Sequence, residues 1–220
     1  MTRSGLLILC VSLGAGLLAC GSNSPSPSGG GSAFLGLFPQ ASTVAGWVVN
    51  PSSSKTSSVV AATATTQAGT EALIDGAAAD FFQPPSTPVE FGWQNYLNTT
   101  VTDAPAAGVT LSLYILQMPS AAQASALYAS LMNDSLYSTW SNPGATDPDQ
   151  TWSDPSSPPV GDQSRLVNAG DTWWINFCKG VYYVEVALKP SYGPAPAYTQ
   201  DDPNLESAAF AFAQAVAKPM

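Results

Sequence analysis

Thr172 to Leu188, TWWINFCKGVYYVEVAL, constrains the fold more than any other stretch of the chain. It reads as two strands joined at Lys179-Gly180, with Gly180 supplying the positive φ that a two-residue hairpin loop requires. That loop pairs Cys178 with Val181, Phe177 with Tyr182, Asn176 with Tyr183, Ile175 with Val184, Trp174 with Glu185 and Trp173 with Val186. Side chains alternate between the two faces of a strand, and paired residues share a face. One face then collects Trp173, Ile175, Phe177, Tyr182, Val184, Val186 and Leu188, a surface made for a core. The other collects Trp174, Asn176, Cys178, Val181, Tyr183, Glu185 and Ala187. Aromatic rings beside amide and carboxylate groups suit stacking on a sugar or docking of a protein. Trp174, Asn176, Tyr183 and Glu185 are therefore the candidate binding surface.

The start of the chain is an address. Arg3 precedes an apolar run from Gly5 to Leu18, which leads into Leu17-Leu18-Ala19-Cys20. A charged start, a short apolar core and a small residue at the cleavage point mark a secretory signal peptide. The run is shorter than the roughly 20 apolar residues that span a bilayer. The LLAC string resembles a bacterial lipobox. That resemblance implies cleavage before Cys20, acylation of its thiol with lipid, and an anchored rather than membrane-crossing protein. Two acyl chains already give stable attachment. Gly21 at the position after the lipid cysteine favours, by resemblance to known lipoproteins, the outer membrane. Gly21 to Ser32, GSNSPSPSGGGS, has nothing large to bury and reads as a flexible tether.

The organisation expected is a signal peptide over 1–19, a lipidated cysteine and tether over 20–33, and a single domain over 34–220. Within that domain, short strands are expected at 46–49 and 59–63. A helix over 70–82 starts at Thr70 as N-cap, and strand follows over 89–102. Val109 to Met118 is apolar on both faces and so reads as a central strand. Ser120 and Gln123 match a capping box for a helix to about Asn133, buried through Ala124, Leu127, Tyr128 and Leu131. A Pro/Asp-rich loop occupies 134–161. A strand over 163–168 completes a meander with the hairpin. Asp202-Pro203 opens a last helix, with Leu205, Ala208, Ala209, Phe212 and Val216 facing inward. These elements predict an α+β fold: an antiparallel β-sheet of about six to eight strands with helices packed on it.

Much chemistry is excluded by what is missing. The chain has no histidine, which removes His-based triads and His-ligated zinc. Of its three cysteines, Cys10 leaves with the signal and Cys20 takes the lipid. Cys178 then stands unpaired, with no intrachain disulfide, and reads as a small buried hydrophobe. Removing Arg3 leaves five basic against fifteen acidic residues, so neutralisation of nucleic-acid phosphates is not expected. No phosphate loop or dinucleotide motif is present, and no cofactor is expected. Asp147, Asp149, Thr151 and Asp154 cluster, but Trp152 and Pro158 stand where a calcium loop needs Gly and Glu. They read as solvated loop acids, and no metal site is expected.

Two carboxylates set across a bond could hydrolyse a glycan. Asp75 is the candidate functional acid, with Glu185 as its partner. That gives a second reading, a carboxylate-dependent hydrolase of envelope polysaccharide. A third, a small-molecule carrier, predicts an apolar cavity between sheet and helix.

Leu37-Phe38-Pro39, Gly46-Trp47, Ile74-Asp75-Gly76-Ala77 and Met118-Pro119-Ser120 through Ala124 are similar to motifs of an uncharacterised family of bacterial secreted and lipid-anchored proteins. The arrangement also resembles the Mog1/PsbP-type α/β sandwich, which hosts mainly non-catalytic accessory lipoproteins. The lipobox, the missing catalytic sets and the aromatic patch together point to a non-enzymatic, lipid-anchored envelope protein that binds a protein or a glycan, and the fold resemblance agrees with that reading.

Overall fold

The computed structural model describes residues 32–40, 43–50, 61–74, 81–82, 87–98, 109–131, 156–169, 172–190 and 203–220. In chain order these hold α1 (Ser32–Leu35), β1 (Trp47–Val49), β2 (Ala62–Ala64), α2 (Gln67–Ile74), β3 (Glu90–Asn98) and β4 (Val109–Gln117). Then come α3 (Ala121–Leu131), β5 (Gln163–Ala169), β6 (Thr172–Lys179), β7 (Tyr182–Pro190) and α4 (Pro203–Ala217). The fold is α+β, as the alternation of elements predicts.

The seven strands form one antiparallel sheet in the order β1-β3-β4-β7-β6-β5, with β2 also on β3. β1 lies opposite Tyr96–Asn98 and β2 opposite Phe91–Trp93, so the two short strands share one edge of β3. From β4 the chain passes through α3 to the far edge at β5. It then returns by the β5-β6-β7 meander, and β7 closes against β4 in the middle of the sheet. Val109–Gln117 is central, as its apolar content on both sides demands.

One face of the sheet is dry. Leu111, Leu113 and Ile115 of β4 share it with Trp173, Ile175 and Phe177 of β6 and Val184, Val186 and Leu188 of β7. α4 covers the β6–β7 half with Leu205, Ala209, Phe212, Ala213 and Val216. Phe212 meets the Trp47 and Tyr96 rings edge-on, at 5.3 and 4.8 Å between centroids. The N-terminal segment joins the same core through Phe34, Leu37 and Phe38, and α1 takes in Ser32 and Ala33, the last two residues of the expected tether. Gly92 of β3 is what lets it sit there. A Cβ at Gly92 would lie 2.5 Å from the tip of the Phe38 ring and 2.8 Å from the Phe34 ring, closer than packed atoms allow.

The opposite face is covered by α3, whose buried residues are Ala124, Leu127, Tyr128 and Leu131, the stripe read from the sequence. Its start is capped by Ser120 as expected: Gln123 N–H donates to Ser120 Oγ at 3.3 Å, and the Gln123 side chain meets the Ser120 hydroxyl, which donates to Gln123 Oε1 at 3.4 Å. Phe81 stacks on Phe91 of this face, 6.2 Å between centroids.

Two expectations are corrected. The hairpin loop is Gly180-Val181 rather than Lys179-Gly180, so Lys179 pairs with Tyr182, Cys178 with Tyr183 and Asn176 with Glu185. Every pair moves by two residues, which leaves each side chain on its expected face. Alternation is blind to such a shift, and the turn decides. Gly180 has φ +56° and takes the first loop position, where both favoured hairpin turns want positive φ. The second correction concerns α2. It begins at Gln67, and its N-cap is Thr66, whose Oγ1 accepts from Gly69 N–H at 3.1 Å. Thr70 is buried inside the helix and donates its hydroxyl back to Thr66 O, the local bond by which threonine is accommodated there.

Candidate functional site

The face under α3 is built in rows that cross the strands, each fixed by the register. Phe91, Leu116, Tyr183, Cys178 and Gln163 form the first row, running β3-β4-β7-β6-β5. Trp93, Tyr114, Glu185, Asn176 and Arg165 form the second, and Asn95, Ser112, Ala187, Trp174 and Val167 the third. Leu97, Thr110 and Lys189 follow in the fourth. The first row is buried from Phe91 to Cys178, while Thr110 is half-buried and Lys189 exposed in the fourth. The face therefore passes from dry to wet, and its buried charged residues, Glu185 and Arg165, lie one row inside the dry edge.

In the second row Glu185 accepts the Tyr183 hydroxyl at 2.6 Å and the Asn176 amide at 3.4 Å. Asn176 Nδ2 also donates to Tyr183 Oη at 3.0 Å. Asn176 is fully buried and Glu185 is 2% exposed. On the far side of Asn176, Arg165 is fully buried. Its guanidinium lies 4.3 Å above the centre of the Tyr128 ring, and Nη1 donates to Tyr128 O at 2.8 Å. Such a cation over an aromatic face gains more when desolvated. Arg165 thus ties α3 to β5, as does the Ser125 to Gln163 contact at 3.4 Å. Glu185 ties β7 to β6.

Nearer the wet side, Asn95 Oδ1 accepts from Ser112 Oγ at 2.7 Å and Trp93 Nε1 at 3.2 Å. The Tyr114 hydroxyl is held above its ordinary pKa by burial. A Ser112 hydrogen bond pulls it down, and the Glu185 carboxylate pushes it up again.

This geometry corrects the candidate binding surface. Asn176, Tyr183 and Glu185 are not an exposed patch: α3 covers them, and only Trp174 of the four is even half-exposed. The four do share a face, as pairing requires. Their polarity reports a buried hydrogen-bond network, which the low dielectric of a core demands of any buried carboxylate. Asp75, Asp147, Asp149, Thr151, Asp154 and Cys20 lie outside the described residues.

Cys178 is fully buried and disulfide-bonded, against the expectation of an unpaired thiol. That expectation counted only what remains after signal cleavage and lipidation. The unprocessed chain offers Cys10 and Cys20 as partners, both outside the described residues.

Arg165, Tyr128, Ser112 and Asn95 were not among the sequence candidates. Arg165 had a readable signal: it is one of six basic residues in the chain and falls inside a strand, between Gln163 and Val167 on the side that pairs with Asn176.

No protein-family model, no curated protein and no solved structure matches this chain. Among the described residues, no helix is long and apolar enough to cross a membrane.

Proposed function

We propose that the protein is a lipid-anchored protein of the bacterial cell envelope, held through Cys20 with the outer membrane favoured. Its folded domain serves as a non-enzymatic binding or accessory module for a protein or glycan. The observation that carries this reading is the sequence Leu17-Leu18-Ala19-Cys20 after a short apolar run, followed at once by a Gly/Ser/Pro tether.

The fold supports it in one respect. Phe34 and Phe38 are already packed into the core, so little chain separates anchor from domain. Fully extended, the stretch from Cys20 to Ala33 spans at most about 45 Å. Relaxed, it averages about 20 Å. A partner must therefore come to the membrane surface or lie within that reach. With Glu185, Asn176 and Tyr183 under a helix, the part of the second face open to a partner is its wet end. There Trp174, Ser112 and Asn95 are half-exposed beside Lys189.

The test is chemical. Cells expressing the full chain are fed an alkynyl fatty acid, and the protein is recovered from membranes. Label on the wild type and its loss in Cys20→Ala is the expected result. An unlabelled wild type would sink the proposal. The same samples, digested without reduction, show whether Cys20 carries acyl chains or a disulfide, since its one sulfur cannot carry both.

A further inference from the structure

The dry face holds two polar atoms that its apolar character does not explain. Gln94 and Tyr96 stand two residues apart on β3, both 1% exposed, and point with Gly92 into the core side of the sheet. Tyr96 Oη and Gln94 Oε1 are buried without a hydrogen-bond partner. The other end of the Gln94 amide is fixed, with Nε2 donating to Asn95 O at 3.2 Å. Their cross-strand neighbours are Leu111 and Leu113. On one side Phe34 and Phe38 crowd Gly92. On the other, Phe212 packs edge-on to the Tyr96 ring. The pair thus sits at the seam where the N-terminal segment and α4 meet over β3.

Buried side-chain polar atoms nearly always have a partner, protein or water. Two orphans on neighbouring positions of one face point to a shared missing partner. What they require is specific. Gln94 Oε1 can only accept. Tyr96 Oη carries a proton it can donate, and burial pushes its pKa up so that it keeps that proton. The two side chains leave the same face of one strand from Cα atoms about 6.7 Å apart. Both are long enough for their tips to come within about 5.6 Å, the span that one oxygen bridges with two hydrogen bonds. A hydroxyl group meets both needs, accepting from one atom and donating to the other.

We propose that the seam between the N-terminal segment and α4 is an internal binding site for a hydroxyl-bearing guest, bridged between Tyr96 Oη and Gln94 Oε1. The hydroxyl comes from water or from the alcohol group of a small apolar molecule. The aromatic surroundings accept the body of either. No bond is made or broken, and the site is independent of the anchor and of the second face.

The experiment uses the full-length protein, with Tyr96→Phe, Gln94→Met and the double variant. If the two atoms were merely orphans, replacing either with an apolar side chain of similar shape would leave the melting temperature unchanged or raise it. With a bridging guest, each single variant melts several degrees lower. The double melts no lower than the weaker single, because both changes evict the same guest. Unchanged or raised melting in either single, or losses that simply add, overturns the proposal. Native mass spectrometry of the wild type then identifies the source. A constant added mass that both single variants lose is an alcohol guest. No added mass, with one ordered density peak between the two atoms at high resolution, is water. Neither mass nor peak overturns the site.

Discussion

The two faces of this sheet are made by alternate residues of the same strands, yet they are held together differently. On the dry face, Trp173, Ile175, Phe177, Val184, Val186 and Leu188 meet α4 and the N-terminal segment almost wholly through apolar contact. On the other, the same two strands present Asn176, Tyr183 and Glu185, and β5 adds Arg165, all buried under α3. Apolar burial is tolerant of shape changes if volume is kept. A buried hydrogen-bond network is not, because removing one member leaves another unsatisfied in low dielectric. The first face supplies most of the driving force for folding, and the second fixes which strand lies where. On the second face Asn176 bonds tie β6 to β7, and Arg165 ties β5 to α3, the latter a connection that the long β4-α3-β5 crossover leaves to tertiary structure.

The largest effect expected is on the dry face. Phe212→Ala empties a fully buried site in contact with Trp47 and Tyr96. It should cost about 3–5 kcal/mol in urea unfolding, and a loss below about 1 kcal/mol would mean that α4 contributes little to the core. The next effect separates the faces. Glu185→Leu keeps the volume roughly but strands the Tyr183 hydroxyl and the Asn176 amide, at about 3 kcal/mol. Glu185→Gln keeps an acceptor and should cost about 1 kcal/mol. Adding Tyr183→Phe and Asn176→Leu to Glu185→Leu removes every member of the network and should recover much of the single loss. If the losses add instead, the network account of the second face is wrong and its residues behave like ordinary core.

Alternation along Trp173–Leu188 sorts both faces correctly, because one face must be apolar whichever way the loop is closed. The same alternation cannot detect a two-residue shift in register, and so the loop was placed one residue early. Ser120-Gln123 announced α3 because its box is a local signal. Thr66 and Thr70 compete for one helix start, and Glu71 draws the choice to the wrong one. The buried stripe of α4 includes Phe210 and Ala213, beyond the five positions read from its spacing. The misjudged surface has a different cause. Polarity on a strand face says that water or hydrogen bonds are near, and only the path of the crossover tells which. Gln94 and Tyr96 show the converse: two polar groups sit on an otherwise apolar face.

A smaller effect appears in alkali. Tyr96 on the dry face and Tyr114 on the second both have pKa values raised above 10.0, in each case first by burial. A phenol that holds its proton more tightly when folded contributes stability that is complete below about pH 10. That stability is lost as pH rises above 10 towards the folded pKa, because the unfolded chain releases its proton first. Stability measured by urea unfolding should therefore fall with pH beyond 10. Tyr96→Phe should flatten that slope more than Tyr114→Phe, since the Ser112 hydrogen bond opposes the shift at Tyr114 and nothing opposes the effect of burial at Tyr96. Equal slopes in the two variants would show that the faces desolvate their tyrosines alike.

The smallest expected effect tests how each covering helix is fastened. α3 starts on a side-chain cap from its own chain segment, Ser120, and Ser120→Ala should cost about 1 kcal/mol. α4 is fastened from the sheet instead: Lys179, at the end of β6 and on the dry-face side of that strand, donates from Nζ to Ala217 O at 2.6 Å. A cation at the last turn of a helix meets its unsatisfied carbonyls and the negative end of its dipole, for about 0.3–1 kcal/mol, and salt screens it. Lys179→Met should therefore lose about 0.5 kcal/mol at low ionic strength and less in high salt, whereas the Ser120→Ala loss should be nearly indifferent to salt. If both losses respond to salt equally, the Lys179 contact acts through the net negative charge of the domain rather than through the helix end, and the two helices are held by the same long-range field.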